Sequence, residues 1–144
     1  MEDAQISHVQ GEQVAFKRLL WVVPLAAVSA AVANAVVYFV ASALGAMPQD
    51  FVVQDSGPIT LAPVVLSSLI GAAGAAVIFT LVALLARRPI RTFRIVAAVV
   101  LMLSFATPLT IPGAPLSVIL TLELMHVVAA VIITGMLTTL ARAK

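Results

Sequence analysis

The chain has 144 residues, of which 62% are hydrophobic and only 10% are charged, and its mean hydropathy is +1.17. A soluble domain of this size could not hide so much apolar surface, so the composition excludes the soluble and disordered classes. The absence of cysteine excludes disulfides, thiol redox chemistry and cysteine-based metal sites. The formal charge of +2 comes from short basic clusters that form no continuous face, so no nucleic-acid partner is expected.

Four apolar segments are long enough to cross a bilayer, because about 20 apolar residues in a helix span about 30 Å of hydrocarbon. They lie at about residues 19–44, 60–86, 92–108 and 115–140. The first is longer than the apolar part of a signal peptide, so we expect a retained anchor. Pro89 is expected to end the second helix, with Thr92 as the N-cap of the third. Pro115 suits the first turn of the fourth helix.

The basic residues predict the orientation of these spans. Every Lys and Arg lies before the first span, between the second and third, or after the fourth: Lys17, Arg18, Arg87, Arg88, Arg91, Arg94, Arg142 and Lys144. These regions share one side of a four-span chain, and the positive-inside rule makes that side cytoplasmic. We therefore predict an all-α, four-transmembrane-helix bundle in a bacterial inner membrane, with residues 1–18 and 141–144 as cytoplasmic tails.

Two further features lie near the predicted bilayer boundaries. Trp21 and Tyr38 stand toward opposite ends of the first span and are expected to be interfacial anchors. The longest outer connection, residues 45–59, carries Asp50 and Asp55. Two acids in a loop are a weak cation site, so we expect a solvated cap over the bundle.

Small residues predict where helices approach each other, because helix contacts in lipid depend on close backbone packing. One stripe in the first span contains Ala27, Ala31 and Ala35, and one in the second contains Gly71, Gly74 and Ala75. Packing inside the bundle is the favoured interpretation of both stripes over a dedicated dimer motif.

Glu123 and His126 form the one ionisable pair within a predicted span. Their i, i+3 spacing puts both on one helix face, and the cost of charge in hydrocarbon predicts that this face points inward. From the helical rise, both lie at the depth of Asn34, roughly 12–16 Å from the outer helix ends. The sequence therefore predicts one intramembrane polar layer. Its members are Asn34, Ser67, Ser68, Ser104, Glu123 and His126.

Several uses of this layer are open. Hydrogen bonds among Glu123, His126 and Asn34 would fix which helix faces meet. A titratable pair also suits a proton or ion path, although the cytoplasmic halves of the spans offer few polar groups to continue one. The Glu-x-x-His spacing occurs in di-iron bundles, which need further glutamates, and a lone His can ligate haem or a pigment. No catalytic residue, metal or cofactor is expected.

Four arginines lie in the connection between the second and third spans: Arg87, Arg88, Arg91 and Arg94. Orientation in the membrane explains their charge, and the same charge suits anionic headgroups or an acidic partner. Membrane lipids with anionic headgroups are therefore the expected partners of this cluster.

Four sequence elements carry a resemblance to a known family. They are Asn34-Ala-Val-Val-Tyr38, Arg88-Pro89-Ile-Arg91-Thr92-Phe93, Leu103-Ser104 with Pro108, and Leu122 with Met125-His126-Val-Val-Ala-Ala. With them the chain resembles a family of small bacterial four-helix membrane proteins of unknown function, best represented in actinobacteria. The resemblance implies motif positions at Asn34, Pro89, Arg91, Phe93 and His126, and it implies no activity.

We expect a small non-enzymatic integral membrane protein that acts as a structural or accessory component, associating with itself or a larger membrane complex. Hydrolase and nucleotide-binding motifs such as G-x-S-x-G, H-E-x-x-H and the P-loop are missing from the sequence. The alternative is a small proton-coupled transporter or carrier that uses Glu123 and His126. A wet cavity reaching Glu123 would favour the carrier, whereas a dry bundle would favour the accessory role.

Overall fold

A computed structural model describes residues 13–48, 50–53 and 57–143. Its elements are α1 (Phe16–Ala43), β1 (Val52–Val53), β2 (Gly57–Pro58), α2 (Leu61–Leu85), α3 (Pro89–Ser104), α4 (Ala106–Leu109) and α5 (Leu116–Leu140). Four helices are long and apolar enough to cross a membrane, the third being α3 and α4 together. The prediction of four such helices is confirmed. The predictions for residues 1–12, Asp55 and Lys144 lie outside the described residues.

The two ends of the described chain meet at one end of the bundle. Ala15 N–H donates to the Ala141 carbonyl and Ala143 N–H to the Gln13 carbonyl, both at 2.8 Å. The Arg18 guanidinium also donates to the Arg142 carbonyl at 2.8 Å. We call these contacts the terminal clamp.

The end of the bundle that holds the terminal clamp is also the basic end. The start of α1, the end of α2, the start of α3 and the end of α5 all lie there. The described basic residues belong to these segments: Lys17, Arg18, Arg87, Arg88, Arg91, Arg94 and Arg142. The predicted segregation of positive charge on one side therefore appears in the fold, whereas Asp50 lies in the loop at the opposite end.

The bundle has two apolar cores, one toward each end. At the basic end, Phe79 of α2 and Phe93 of α3 pack edge to face, with ring centroids 4.8 Å apart, beside Val22 and Leu137. At the other end, α1, α2 and α5 surround a second cluster that includes Tyr38, Val64, Val118, Met125 and the loop residue Met47. The polar contacts of α1 with α2 lie between these two cores.

α3 is the peripheral helix. α1 packs along both α2 and α5, while α3 has fewer contacts with the other helices. The buried residues of α3 are Pro89, Ile90 and Phe93, all within its first two turns. Further along, Val99 and Met102 are exposed. α3 is therefore anchored at the basic end, and grooves open beside the rest of its length.

α1 ends in a Schellman motif that determines where the following loop begins. Gly45 adopts a φ of +72°, a left-handed conformation that a residue with a Cβ rarely adopts. Its N–H donates to the Ser42 carbonyl at 3.0 Å, and Ala46 N–H donates to the Ala41 carbonyl at 2.8 Å. These bonds satisfy carbonyls that the last helical turn leaves free.

The described part of the loop between α1 and α2 contains two short strands. Val52 and Val53 pair antiparallel with Pro58 and Gly57, a pairing that the expectation of a solvated cap did not include. Met47 is buried from this loop. Met47 packs against the core at this end of the bundle and buries apolar surface there. A loop that is solvated throughout would leave this side chain in water.

Tyr38 differs from the expected interfacial anchor. Its ring is buried in the core at the end opposite the basic end, and its hydroxyl donates to the Ile59 carbonyl at 3.3 Å. The bond to the loop backbone satisfies the hydroxyl, so the ring can pack inside the bundle. Trp21 and Phe39, in contrast, are exposed.

Pro89 begins α3 and does not end α2, which corrects the predicted helix boundary. α2 ends at Leu85, and Pro89 occupies the first turn of α3, where its missing N–H has no helical partner to lose. Thr92 is thus inside the helix, and its N–H donates to the Arg88 carbonyl at 3.0 Å. At the other end, α3 stops at Ser104 because Pro108 cannot donate to the Ser104 carbonyl.

Candidate functional site

A buried hydrogen bond joins α1 to α2. Asn34 Nδ2 donates to Ser68 Oγ at 3.0 Å, and the two residues are 5% and 4% exposed. Ser68 Oγ in turn donates to the Val64 carbonyl at 2.8 Å. The Asn34 Oδ1 atom is buried without a hydrogen-bond partner in the described residues. The pair fixes which faces of α1 and α2 meet, because either polar group alone would be costly in an apolar seam.

His126 and Glu123 lie half-buried on α5. His126 Nδ1 is 2.7 Å from the Leu122 carbonyl oxygen. A carbonyl can only accept, so Nδ1 is the donor in this contact. Within the described residues Glu123 makes no hydrogen bond, either to His126 or to Asn34.

The predicted polar layer is thus divided in two. Asn34 and Ser68 meet in the α1–α2 seam, whereas His126 and Ser104 line a groove on the other side of α2. Ser67 is exposed and donates back to its own helix, at the Val64 carbonyl. Ser104 does the same at the Leu101 carbonyl. Serines that are satisfied by their own helix do not need to converge on a common partner.

The α2–α3–α5 groove is a cavity of about 280 Å³ bounded by these three helices. Its polar lining residues are His126, Ser104 and Thr134. Its other walls are apolar, and many of them are small: Gly71, Gly74, Ala75, Ala97, Ala129 and Ala130. The groove is therefore mainly apolar, and His126 is the one ionisable residue among the described residues of its wall.

Among the described residues the glycines of α2 do not pack against another helix, which corrects their predicted role in the bundle. Gly71 and Gly74 are exposed, and a Cβ built on either would meet no described atom within 4 Å beyond the adjacent backbone of its own helix. The buried face of α2 instead runs through Val64, Ser68, Ala72 and Phe79.

The small residues of α1 divide between the seam and its edges. Ala31 is buried, while Ala27 and Ala35 are half-buried. The most buried line of α1 runs through Val22, Ala26, Ala30 and Asn34, one position away from the predicted stripe. Ala75 of α2 is half-buried and lines the groove.

The arginine cluster contributes one defined side-chain contact. Arg87, Arg88, Arg91 and Arg94 are all exposed at the basic end. Arg94 donates from Nε and Nη2 to the Thr138 hydroxyl oxygen, at 3.3 and 3.2 Å. Sequence reasoning missed Thr138, which is fully buried. The sequence does show that Thr138 places a hydroxyl in the last turn of an apolar helix, at the same end of the bundle as the basic connection. That placement could have indicated a contact with one of the arginines.

In the described residues no three His, Asp or Glu side chains come close enough to hold a metal ion. The α2–α3–α5 groove, with His126 in its wall, is the candidate site.

Comparison with known proteins places the chain in a family but gives it no activity. No curated protein and no solved structure matches the sequence. A family model matches residues 14–143, from just before α1 to just after α5. The chain therefore belongs to the family of unknown function DUF6069.

Proposed function

We propose that this chain is a small non-enzymatic membrane protein, a structural or accessory component that associates with itself or a larger membrane complex through the α2–α3–α5 groove. The observation that carries the proposal is the position of Gly71 and Gly74, which face open space although small residues are what allow helices to approach closely in lipid. Since no helix in the described part of the chain covers them, they suit a helix from another chain.

The polar lining of the groove supports the same role. His126, Ser104 and Thr134 lie along walls that are otherwise apolar. Polar side chains between transmembrane helices contribute about 0.6–2 kcal/mol each when they find partners. A docking helix that carries one hydroxyl or amide would gain such a contact at His126.

The basic end supports insertion in a bacterial inner membrane with both termini on the cytoplasmic side, because Lys and Arg accumulate on that side of membrane proteins.

The orientation can be tested by cysteine labelling. The chain lacks cysteine, so a single introduced cysteine is the only thiol that a maleimide can label. In intact cells a membrane-impermeant maleimide should label Thr110→Cys, in the loop before α5, and not Gln13→Cys. After permeabilisation both variants should react. Labelling of Gln13→Cys alone in intact cells would reverse the orientation.

Self-association through the groove can be tested in membranes with the same cysteine-free background. If two copies dock groove to groove about a twofold axis, Ala97 of one copy faces Ala97 of the other, and Ala97→Cys should form a disulfide-linked dimer under mild oxidation. Val32→Cys, exposed on α1, should not. Adding Gly71→Leu should remove the cross-link by filling the groove, while Ala73→Leu on the exposed part of α2 serves as the matched control. Native mass spectrometry should show the same change in the dimer or in the bound complex.

An unchanged complex in the Gly71→Leu variant would contradict the proposal.

The competing function is a proton-coupled carrier. It is favoured by half-buried Glu123, which makes no hydrogen bond within the described residues. Proton flux into liposomes that depends on the protein and is lost in Glu123→Gln would replace the accessory role with this one.

A further inference from the structure

A second groove, the α3–α5 groove, runs between these two helices without contribution from α2. Its volume is about 250 Å³. The walls include Ala97, Ala98, Ala130 and Gly135, and a Cβ built on Gly135 would meet no atom within 4 Å. The groove is therefore narrow, apolar and open along exposed residues of both helices.

This groove ends at a positioned arginine. Arg94 Nε and Nη2 donate to Thr138 Oγ1, and the Thr138 hydroxyl donates to the Thr134 carbonyl at 2.7 Å. The hydroxyl proton of this fully buried threonine is thus committed to its own helix, and its lone pairs accept from Arg94. A guanidinium carries five N–H groups, so those that do not face Thr138 remain for a ligand.

Position and charge identify the chemistry of that ligand. Arg94 lies five residues after Pro89, about 7.5 Å along the helix axis, so its long side chain reaches headgroup depth in a bilayer. Arg87, Arg88 and Arg91 are exposed at the same end. Among the described residues this end carries no Asp or Glu that would offset their charge. The complement of such a site is an anion joined to an apolar chain.

We infer that the α3–α5 groove binds one anionic phospholipid. Its headgroup phosphate accepts hydrogen bonds from Arg94, and one acyl chain lies along Ala98, Ala130 and Gly135. The inference rests on the membrane insertion that the proposed function assumes. The α3–α5 groove shares Ala97 and Ala130 with the α2–α3–α5 groove, but Arg94, Ala98 and Gly135 belong to it alone, and lipid binding there needs no partner helix.

The test is a lipid titration of the full chain in mild detergent, followed by native mass spectrometry of the monomer. Phosphatidylglycerol should bind about tenfold more tightly than phosphatidylcholine with the same acyl chains. Both phosphates can accept hydrogen bonds from Arg94, but the quaternary ammonium of choline offsets the phosphate charge and is repelled by the arginines, whereas phosphatidylglycerol keeps its net negative charge. Arg94→Gln should abolish that preference, whereas Arg91→Gln, which changes the net charge equally, should keep it. Gly135→Leu should weaken binding of both lipids because it fills the chain groove and meets no atom of the protein.

Three results would overturn the inference: equal binding of the two lipids, equal loss in the Arg91 and Arg94 variants, or unchanged binding in Gly135→Leu. Displacement of phosphatidylglycerol by an equal concentration of inorganic phosphate would also overturn it, since that result would identify an anion site without a chain. Circular dichroism of each variant checks that the helices persist. Because binding is read on the monomer, a failure of self-association leaves this test intact.

Discussion

Phe93→Ala is expected to lower the free energy of unfolding by about 3 kcal/mol, near the lower limit for truncating a buried phenylalanine. We choose the lower limit because lipid tails solvate an exposed ring almost as well as the protein interior does. Phe93 is 2% exposed, packs edge to face on Phe79, and is the largest of the three residues that α3 buries. Its loss should free α3 from the bundle.

Titration with a denaturing detergent, followed by circular dichroism, measures this change. Ile95→Ala is the matched control, since Ile95 is on the same helix but exposed, and its change should stay within about 0.5 kcal/mol. A double-mutant cycle with Phe79→Ala should give a coupling of about 0.5–1.5 kcal/mol for the aromatic pair. Equal destabilisation by Phe93→Ala and Ile95→Ala would mean that Phe93 does not anchor α3.

Ala72→Leu should destabilise the bundle by about 1–3 kcal/mol, the usual cost of forcing extra methylenes into a packed core. Ala72 is 2% exposed and belongs with Ala30, which is fully buried, to the core where α1, α2 and α5 meet. A leucine side chain there has to displace α1 or take a strained rotamer.

Gly71, next to Ala72 in sequence, is expected to tolerate the same substitution. Detergent titration of the two leucine variants compares them directly. Gly71→Leu adds a larger side chain on the same turn of α2, but into open space, so it should not destabilise the bundle. The higher helix propensity of leucine should instead stabilise α2 by up to about 1 kcal/mol. If Gly71→Leu were as destabilising as Ala72→Leu, the groove beside Gly71 would have to be closed in the membrane.

The number and approximate limits of the helices followed from sequence because a bilayer-spanning helix needs a long apolar run and satisfies its backbone internally. Four runs of the sequence meet that condition, and the structure has four such helices. Helix ends were less predictable at proline. A proline stops a preceding helix and also suits the first turn of the next, so Pro89 alone is compatible with either boundary.

Which face of each helix lies inside could not be read from sequence. α2 is apolar on every side, so its hydrophobic pattern has no direction, and Gly71 and Ala72 look equally suited to a seam. Ser67 and Ser68 pose the same problem, and only Ser68 meets Asn34. The depth of a residue follows from the helical rise, but its direction depends on contacts between helices that are distant in sequence.

The terminal clamp has a consequence for the order of assembly. It joins Arg18 to Arg142, which are separated by 124 positions, so it closes only after the ribosome has made the whole of α5. Until then α1 can pair with α2 through Asn34 and Ser68, and the face of α1 that packs on α5 remains in contact with lipid. Contacts so distant in sequence form slowly. If the chain inserts in a membrane as proposed, we expect its biogenesis to pass through a hairpin of α1 and α2 that exists before the fold is complete.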